Sequence, residues 1–328
     1  MNMKAAWYEQ LGPASEVLRV GTMPAPEVGP HEVLIRLYVS GINPSDVKKR
    51  HGIREKMQFP RIIPHSDGAG IIEKVGREVS KNRIGQRVWI YNARWKRPFG
   101  TAAELVVLPA KLAIPLPDNT SFEAGACLGI PAMTAHRCVF SEGTVQGKTI
   151  LVTGGAGSVG HYAIQFAKWG GAKVITTVSN AEKGKHAKNA GSDHVLNYRE
   201  ENVVERIKAI TDNQGIDRII EVDFGGNLTT NQEIITLNGC IAAYASEGNS
   251  NPSVPFYHLL FKGVTIHLVN VYELADNARS QAIRDINLML ETGNLIHAIA
   301  KRFNLDEIVS AHQLVESGTA IGNVILTI

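Results

Sequence analysis

Two spacings of apolar residues follow one another along the chain. Over the first third, short apolar or alternating runs at 3–8, 17–20, 32–40, 67–75, 87–91 and 103–109 are separated by Gly, Pro and Asn. Such runs between turn-forming residues predict the strands of a small, largely antiparallel domain. Thr120-Ser121-Phe122-Glu123 reads as a capping box and predicts a helix running through 124–126 toward Pro131. Beyond it, strands alternate with helices: after a strand at 148–153 and a helix, strands are expected at 173–178, 194–196, 218–222, 239–245 and 264–270. Helices are expected at 181–190, 202–211 and 229–236, with a short one near 256–261. This alternation predicts an α/β fold with a doubly wound parallel sheet covered by helices on both faces. The tail returns to a mixed pattern, with helices at 275–291 and 305–317 and a last strand at 323–327.

The stretch 148–170 organises the second part. A β-branched run, Lys148-Thr149-Ile150-Leu151-Val152-Thr153, leads straight into Gly154-Gly155-Ala156-Gly157-Ser158-Val159-Gly160, and an amphipathic helix follows with Val159, Ala163, Phe166 and Ala167 on one face. This is the setting of a dinucleotide-binding turn. Gly155 permits the tight turn, Gly157 leaves room for a pyrophosphate, and Gly160 lets helix and strand pack closely, so that phosphates meet N–H groups at the positive end of a helix.

The composition narrows the field. A chain of 328 residues exceeds the size at which one core keeps growing, so two domains are expected. Net charge is +3, from 34 basic and 31 acidic residues, too small and too dispersed to argue for a nucleic-acid partner. Residues 1–20 mix charges into their apolar positions and no run reaches the ~20 apolar residues of a membrane span. A soluble, cytoplasmic protein is expected. Cys127, Cys138 and Cys240 form no CxxC pair and suit a reducing compartment as small buried residues.

Several runs in order carry a resemblance. They are Gly41-Ile42-Asn43-Pro44-Ser45-Asp46, Pro64-His65-Ser66-Asp67-Gly68-Ala69-Gly70 with its continuation to Gly76, Leu128-Gly129-Ile130-Pro131-Ala132-Met133-Thr134-Ala135, the glycine turn, and Leu196-Asn197-Tyr198-Arg199-Glu200-Glu201. Together they resemble the medium-chain dehydrogenase/reductase superfamily, and more closely its zinc-free quinone oxidoreductase (zeta-crystallin-like) branch. The resemblance spans essentially the whole length. It implies a GroES-like catalytic domain from 1–123 and 273–328 and a Rossmann NADP-binding domain from 124–272.

Three positions that carry Cys, His and Cys zinc ligands in the alcohol dehydrogenases of that superfamily hold Asn43, Ser66 and Ile130 here, so no metal is expected. Cofactor identity turns on the end of the second strand of the parallel sheet, where an NAD site places a carboxylate. Here Ser179, Lys183 and Tyr198 match the NADPH-binding set of the quinone oxidoreductase branch, while Glu182 points about 100° away from Lys183 on a helix. By the same resemblance the cofactor meets Gly155, Ala156, Gly157, Ser158, Val159 and Gly160. Further contacts fall to Asn43, Thr134, Ser246, Val271 and Asn323, the last standing where relatives often carry Lys or Arg. Lys48 occupies the place of a substrate-side Tyr and is assigned, with Asn43, to substrate positioning. The implied activity is NADPH-dependent hydride transfer to a quinone, with reduction of an activated C=C bond as one alternative. A crystallin-like structural or RNA-binding protein that carries NADPH is another. A homodimer through the outer strand at 264–270 is expected, since a long apolar edge is hazardous in a monomer.

Overall fold

The computed structural model describes residues 2–53 and 56–328, which divide into two compact units, one of residues up to 131 together with 283–328 and one of 132–282. The first unit opens with β1 (Asn2–Trp7), the short helix α1 (Ala14–Val17) and β2 (Arg19–Pro24). β1 and β2 pair antiparallel from Asn2↔Pro24 to Trp7↔Arg19. The strand expected at 17–20 is therefore the end of a helix followed by a strand that starts at Arg19, where pairing with β1 takes over from local preference. Next come β3 (Glu32–Ile42), helix α2 (Pro44–His51), β4 (Asp67–Val75), β5 (Arg87–Ile90), β6 (Leu105–Pro109), β7 (Ala113–Pro115) and α3 (Phe122–Gly125). No helix was expected at 44–51, although its boundaries are written locally: Pro44 takes the first turn and Gly52 closes the helix at φ 89°. Its residues are too polar to show an apolar stripe. Ser121, not Thr120, caps α3 by accepting from Ala124 N at 3.1 Å. The chain does not continue as one helix but passes into a π-turn over Leu128–Ala132.

The second unit runs through α4 (Met133–Phe140), β8 (Thr149–Val152), α5 (Ser158–Trp169), β9 (Lys173–Val178), α6 (Ala181–Asn189), β10 (His194–Asn197) and α7 (Val203–Ile210). It continues through β11 (Ile216–Glu221), α8 (Phe224–Ile234), β12 (Ile235–Ala243), α9 (Phe256–Phe261) and β13 (Thr265–Leu268), to the first part of α10 (Asp276–Glu291), whose residues from 283 on belong to the first unit. Its six strands form one parallel sheet in the order β10-β9-β8-β11-β12-β13. That is the doubly wound order, whose direction of winding reverses beside β8. Leu151, Ile175, Ile219 and Ile241, one from each of four neighbouring strands, share a core with Phe224 and Leu228 of α8. β13 is the outer strand and is shorter than the expected 264–270. Among the described residues no helix is long and apolar enough to cross a membrane.

The tail returns to the first unit as β14 (Ile299–Asn304), which was not expected, α11 (Ile308–Glu316) and β15 (Asn323–Thr327). The order β14-β15-β3-β4-β5-β7, with β6 also on β3, completes its sheet. α11 brings a buried polar chain with it. His312 Nε2 lies 2.8 Å from His65 Nε2, His65 Nδ1 lies 2.9 Å from Ser40 Oγ, and Ser40 Oγ lies 2.8 Å from Thr101 Oγ1, which donates to the Asp67 carbonyl at 2.5 Å. Because Thr101 spends its one hydrogen on that carbonyl, Ser40 donates to Thr101, His65 Nδ1–H to Ser40, and His312 Nε2–H to His65. His312 Nδ1 is left as a buried bare nitrogen without a partner. Near it, the Arg50 guanidinium donates to the Gly12 carbonyl and pairs with Glu316.

Burial pushes His65 down to about 3 and His312 well below its ordinary value, the latter helped by neighbouring His65 and Arg50. Both are thus neutral when folded but charge readily when unfolded, so their stabilisation is complete above pH 6.5 and declines as pH falls toward 3. At pH 5 the loss from His65 alone is about 2 kcal/mol. Urea unfolding at pH 7.5 and pH 5 is expected to show the fall, and His312→Gln, which keeps an N–H donor but does not titrate, is expected to make it shallower.

Candidate active and cofactor-binding site

In the second unit the end of β8 passes into the glycine turn, and two close approaches define the turn's shape. A Cβ on Gly155 would lie 2.0 Å from Thr176 Oγ1 of β9, and one on Gly160 would lie 2.3 Å from the Gly154 carbonyl. Both glycines are required by the packing of the turn on its own strand and helix. Gly157 differs: the nearest atom to its Cβ is the Gly154 carbonyl at 3.4 Å, an ordinary contact. It caps α5, a helix of 12 residues, without a side chain to occupy the first-turn N–H groups. The missing side chain thus leaves space in front of a helix N-terminus rather than relieving an internal clash, which is what an incoming pyrophosphate requires.

A buried carboxylate steadies this mouth. Glu221, at the end of β11, accepts from Asp223 N (2.7 Å), Asn227 Nδ2 (2.8 Å) and Asn231 Nδ2 (2.7 Å), and its Oε1 lies 2.9 Å from Thr153 Oγ1. It therefore ties the residue before the glycine turn to α8. Nothing local in the sequence marks Glu221 for this role, since its partners come from two other elements.

At the ends of β9 and β10, Ser179 follows Val178 directly, and Tyr198 N donates to the Val178 carbonyl at 3.1 Å. Asn180 caps α6 by accepting from Lys183 N at 2.9 Å, which sets Lys183 in the first turn of that helix. Ser179 and Lys183 are half-buried, whereas Tyr198 and Glu182 are exposed. The three residues thus follow the C-terminal ends of β9 and β10. Ser246 is engaged in its own loop, accepting from Gly225 N at 2.9 Å and donating to the Asn249 carbonyl at 2.5 Å. Val271 is buried in a 3₁₀ turn that Asn270 caps by accepting from Tyr272 N at 3.2 Å. Thr134 is buried in the first turn of α4.

In the first unit, Asn43 closes β3 and starts α2. Its backbone N–H donates to Asp46 Oδ2 (2.9 Å) and its Nδ2 to Asp67 Oδ2 (2.8 Å). Burial pushes Asp46 up to about 6 and Asp67 well above the carboxylate range. Asp67, which the sequence reading did not select, is the residue around which Asn43 is held. Lys48 is half-buried toward the end of α2, and the adjacent Lys49 is buried with its Nζ 4.6 Å from the centre of the Trp95 ring. Asn323 is buried in β15 and gives its amide to the Ala298 carbonyl at 3.0 Å. Among the described residues no group of three or more His, Cys, Asp or Glu is arranged to hold a metal ion.

Residues 29–118 match the family model of the alcohol dehydrogenase GroES-like domain, and residues 158–287 that of zinc-binding dehydrogenases. Rat quinone oxidoreductase is 30% identical over 326 residues, covering 97% of this chain and 95% of the relative. The chain belongs to the medium-chain dehydrogenase/reductase superfamily, in its quinone oxidoreductase branch. Among solved structures, a mycobacterial protein complexed with NADPH superposes with a TM-score of 0.87 at 28% identity, covering 99% of this chain and all of its own. An NAD-dependent alcohol dehydrogenase superposes with a TM-score of 0.90 at 26% identity, over 99% of this chain and all of its own. One fold thus accommodates both, so the sheet alone does not distinguish the two cofactors.

Gly157→Ala provides the sharpest check on the turn. Its Cβ meets nothing in the protein closer than 3.4 Å, so thermal stability is expected to stay within about 0.5 kcal/mol of the parent. Affinity for a nicotinamide dinucleotide is expected to fall tenfold or more in fluorescence titration. Gly160→Ala, facing backbone at 2.3 Å, is expected to lose stability instead.

Proposed function

We propose that this enzyme is an NADPH-dependent, zinc-independent reductase that delivers hydride to a quinone. The observation that carries the cofactor assignment is the donor set Ser179, Lys183 and Tyr198 at the ends of β9 and β10. A hydroxyl, an ammonium and a phenol favour a 2′-phosphate; Glu182, next to Lys183, is exposed on α6, and Glu201 is engaged with Asn197 N and Arg206. The pyrophosphate is assigned to the Gly154–Gly160 turn, with Ala156, Ser158 and Val159 between the glycines. The hydride is supplied by bound NADPH, so the protein's part is to hold, orient and exclude water. Asn43 and Thr134, both buried, are assigned to the nicotinamide end, Val271 and Ser246 to the segments beside it, and Lys48 to the substrate. Asn323 is assigned the phosphate side, with its amide already engaged. Zinc independence rests on donor chemistry: an amide, a hydroxyl and an aliphatic side chain at 43, 66 and 130 offer no soft or imidazole ligand.

Steady-state turnover of NADPH and NADH with quinones and activated enones, in the presence of a chelator, tests this reading. Quinone turnover that prefers NADPH and survives chelation is expected, and in Lys183→Ala the NADPH affinity is expected to fall by about tenfold, roughly 1.4 kcal/mol, with NADH little changed. Activity confined to enones, or lost with the chelator and restored by zinc, rejects it.

We also infer a homodimer through the edge of the parallel sheet. Among the described residues β13 pairs only with β12, and Leu268 on it is 77% exposed. Phe256 and Phe261 of α9 are 63% and 80% exposed in the same unit. An open strand edge and exposed aromatics favour burial against a second copy. Sedimentation at micromolar concentration is expected to give a dimer, and Leu268→Asp a folded monomer that still binds NADPH. A monomeric parent rejects the interface.

A further inference from the structure

One carboxylate oxygen in the first unit gathers three segments of chain. Asp67 stands opposite Gly41 in the β3–β4 register. Its Oδ2 accepts from Asn43 Nδ2, at the start of α2, and from Ile130 N, in the π-turn, each at 2.8 Å. The side chain is 1% exposed, and its Oδ1 has no hydrogen-bond partner. A Cβ on Gly129 would lie 2.1 Å from that Oδ1, so the π-turn reaches the carboxylate only because residue 129 lacks a side chain. Ser66 Oγ, next in sequence, is also buried and without a partner.

The consequence falls on Asn43. The terminal torsion of an Asn side chain is broad and roughly two-fold, so packing alone leaves the amide free to turn over. Its hydrogen bond to the buried Asp67 Oδ2, alongside the contact of the Asn43 side chain with Asp46, restricts that freedom, because turning the amide would set its carbonyl oxygen against the Asp67 oxygen. Asn43, Ser66 and Ile130 are the positions that resemble the ligand set of the zinc enzymes. Here two of them donate to a shared carboxyl oxygen, in place of donating electron pairs to a shared cation.

We propose that Asp67 is a positioning residue for hydride transfer: its Oδ2 fixes the orientation of the Asn43 amide and ties it to the π-turn at Ile130. This rests on the assignment of Asn43 to the nicotinamide end. Outer groups that orient the groups contacting a reacting centre commonly control its rate without touching the reactants.

A double-mutant cycle of Asp67→Asn and Asn43→Ala tests it, read by kcat with NADPH and a quinone, by NADPH affinity from fluorescence, and by the Tm of the cofactor-free protein. Asp67→Asn is expected to lower kcat tenfold or more with NADPH affinity changed less than twofold. In the Asn43→Ala background the same change is expected to cost less than twofold in kcat, and less in Tm than it costs alone. Equal losses in both backgrounds overturn the proposal. If Asn43→Ala leaves kcat unchanged, the assignment of Asn43 fails instead, and the Tm cycle still decides whether Asp67 holds it. Should Asp67→Asn not fold, Asn43→Asp sets a second carboxylate against Asp67. A kcat and Tm no lower than those of Asn43→Ala then overturn the proposal.

Discussion

The cofactor unit depends on a backbone contact between Gly160 and the Gly154 carbonyl. The space a side chain would need at 160 is filled by backbone, at 2.3 Å from a Cβ position. That approach seats α5 on β8 and brings the first turn of the helix over the end of the strand. Everything assigned to the pyrophosphate follows from it, because N–H groups at a helix terminus bind an anion only when the helix is held at the mouth of the sheet. Glu221 reinforces the same place from the other side by bonding α8 and lying against Thr153. A buried carboxylate is tolerated there because four donors surround it, which offsets the cost of removing it from water.

The catalytic unit is held by longer connections. Asn43 and Asp67 are 24 residues apart, Asp67 and Ile130 63 residues, and His65 and His312 247 residues. The last pair shows why the tail must return to this unit, since α11 supplies both His312 and Glu316, the partner of Arg50. Without α11 the Arg50 guanidinium would be buried, among the described residues, with one carbonyl and no carboxylate, a costly arrangement in a dry interior.

These connection lengths explain how far residue patterns could be read. The glycine turn and the alternation of strands and helices after it are local, and the parallel sheet was legible from them. The outer position of the strand containing Leu268 was legible for the same reason. α2 was missed because Lys48, Lys49, Arg50 and His51 present no apolar stripe, even though Asn43-Pro44 and Gly52 mark its ends. The expected strand at 17–20 failed because pairing with Asn2–Trp7 fixes where β2 begins. The resemblance led directly to Asn43, Ser66 and Ile130 but passed over Asp67, which lies between two of them in the chain. Its importance arises only when β3, β4 and the π-turn meet, and no spacing in the chain encodes that meeting.

The direction of the buried hydrogen bonds constrains the chemistry. From His312 through His65, Ser40 and Thr101, every donor points the same way, and the chain ends on the backbone carbonyl of Asp67. A proton relay must end on a group that can release a proton to the reactants, and a carbonyl has none to release. His65, held neutral by burial, is a poor acid donor in any case. The chain therefore anchors the strand that carries Asp67, leaving that side chain free to orient Asn43. Such an arrangement suits a reaction whose reactivity resides in a nicotinamide ring and whose protein contribution is position.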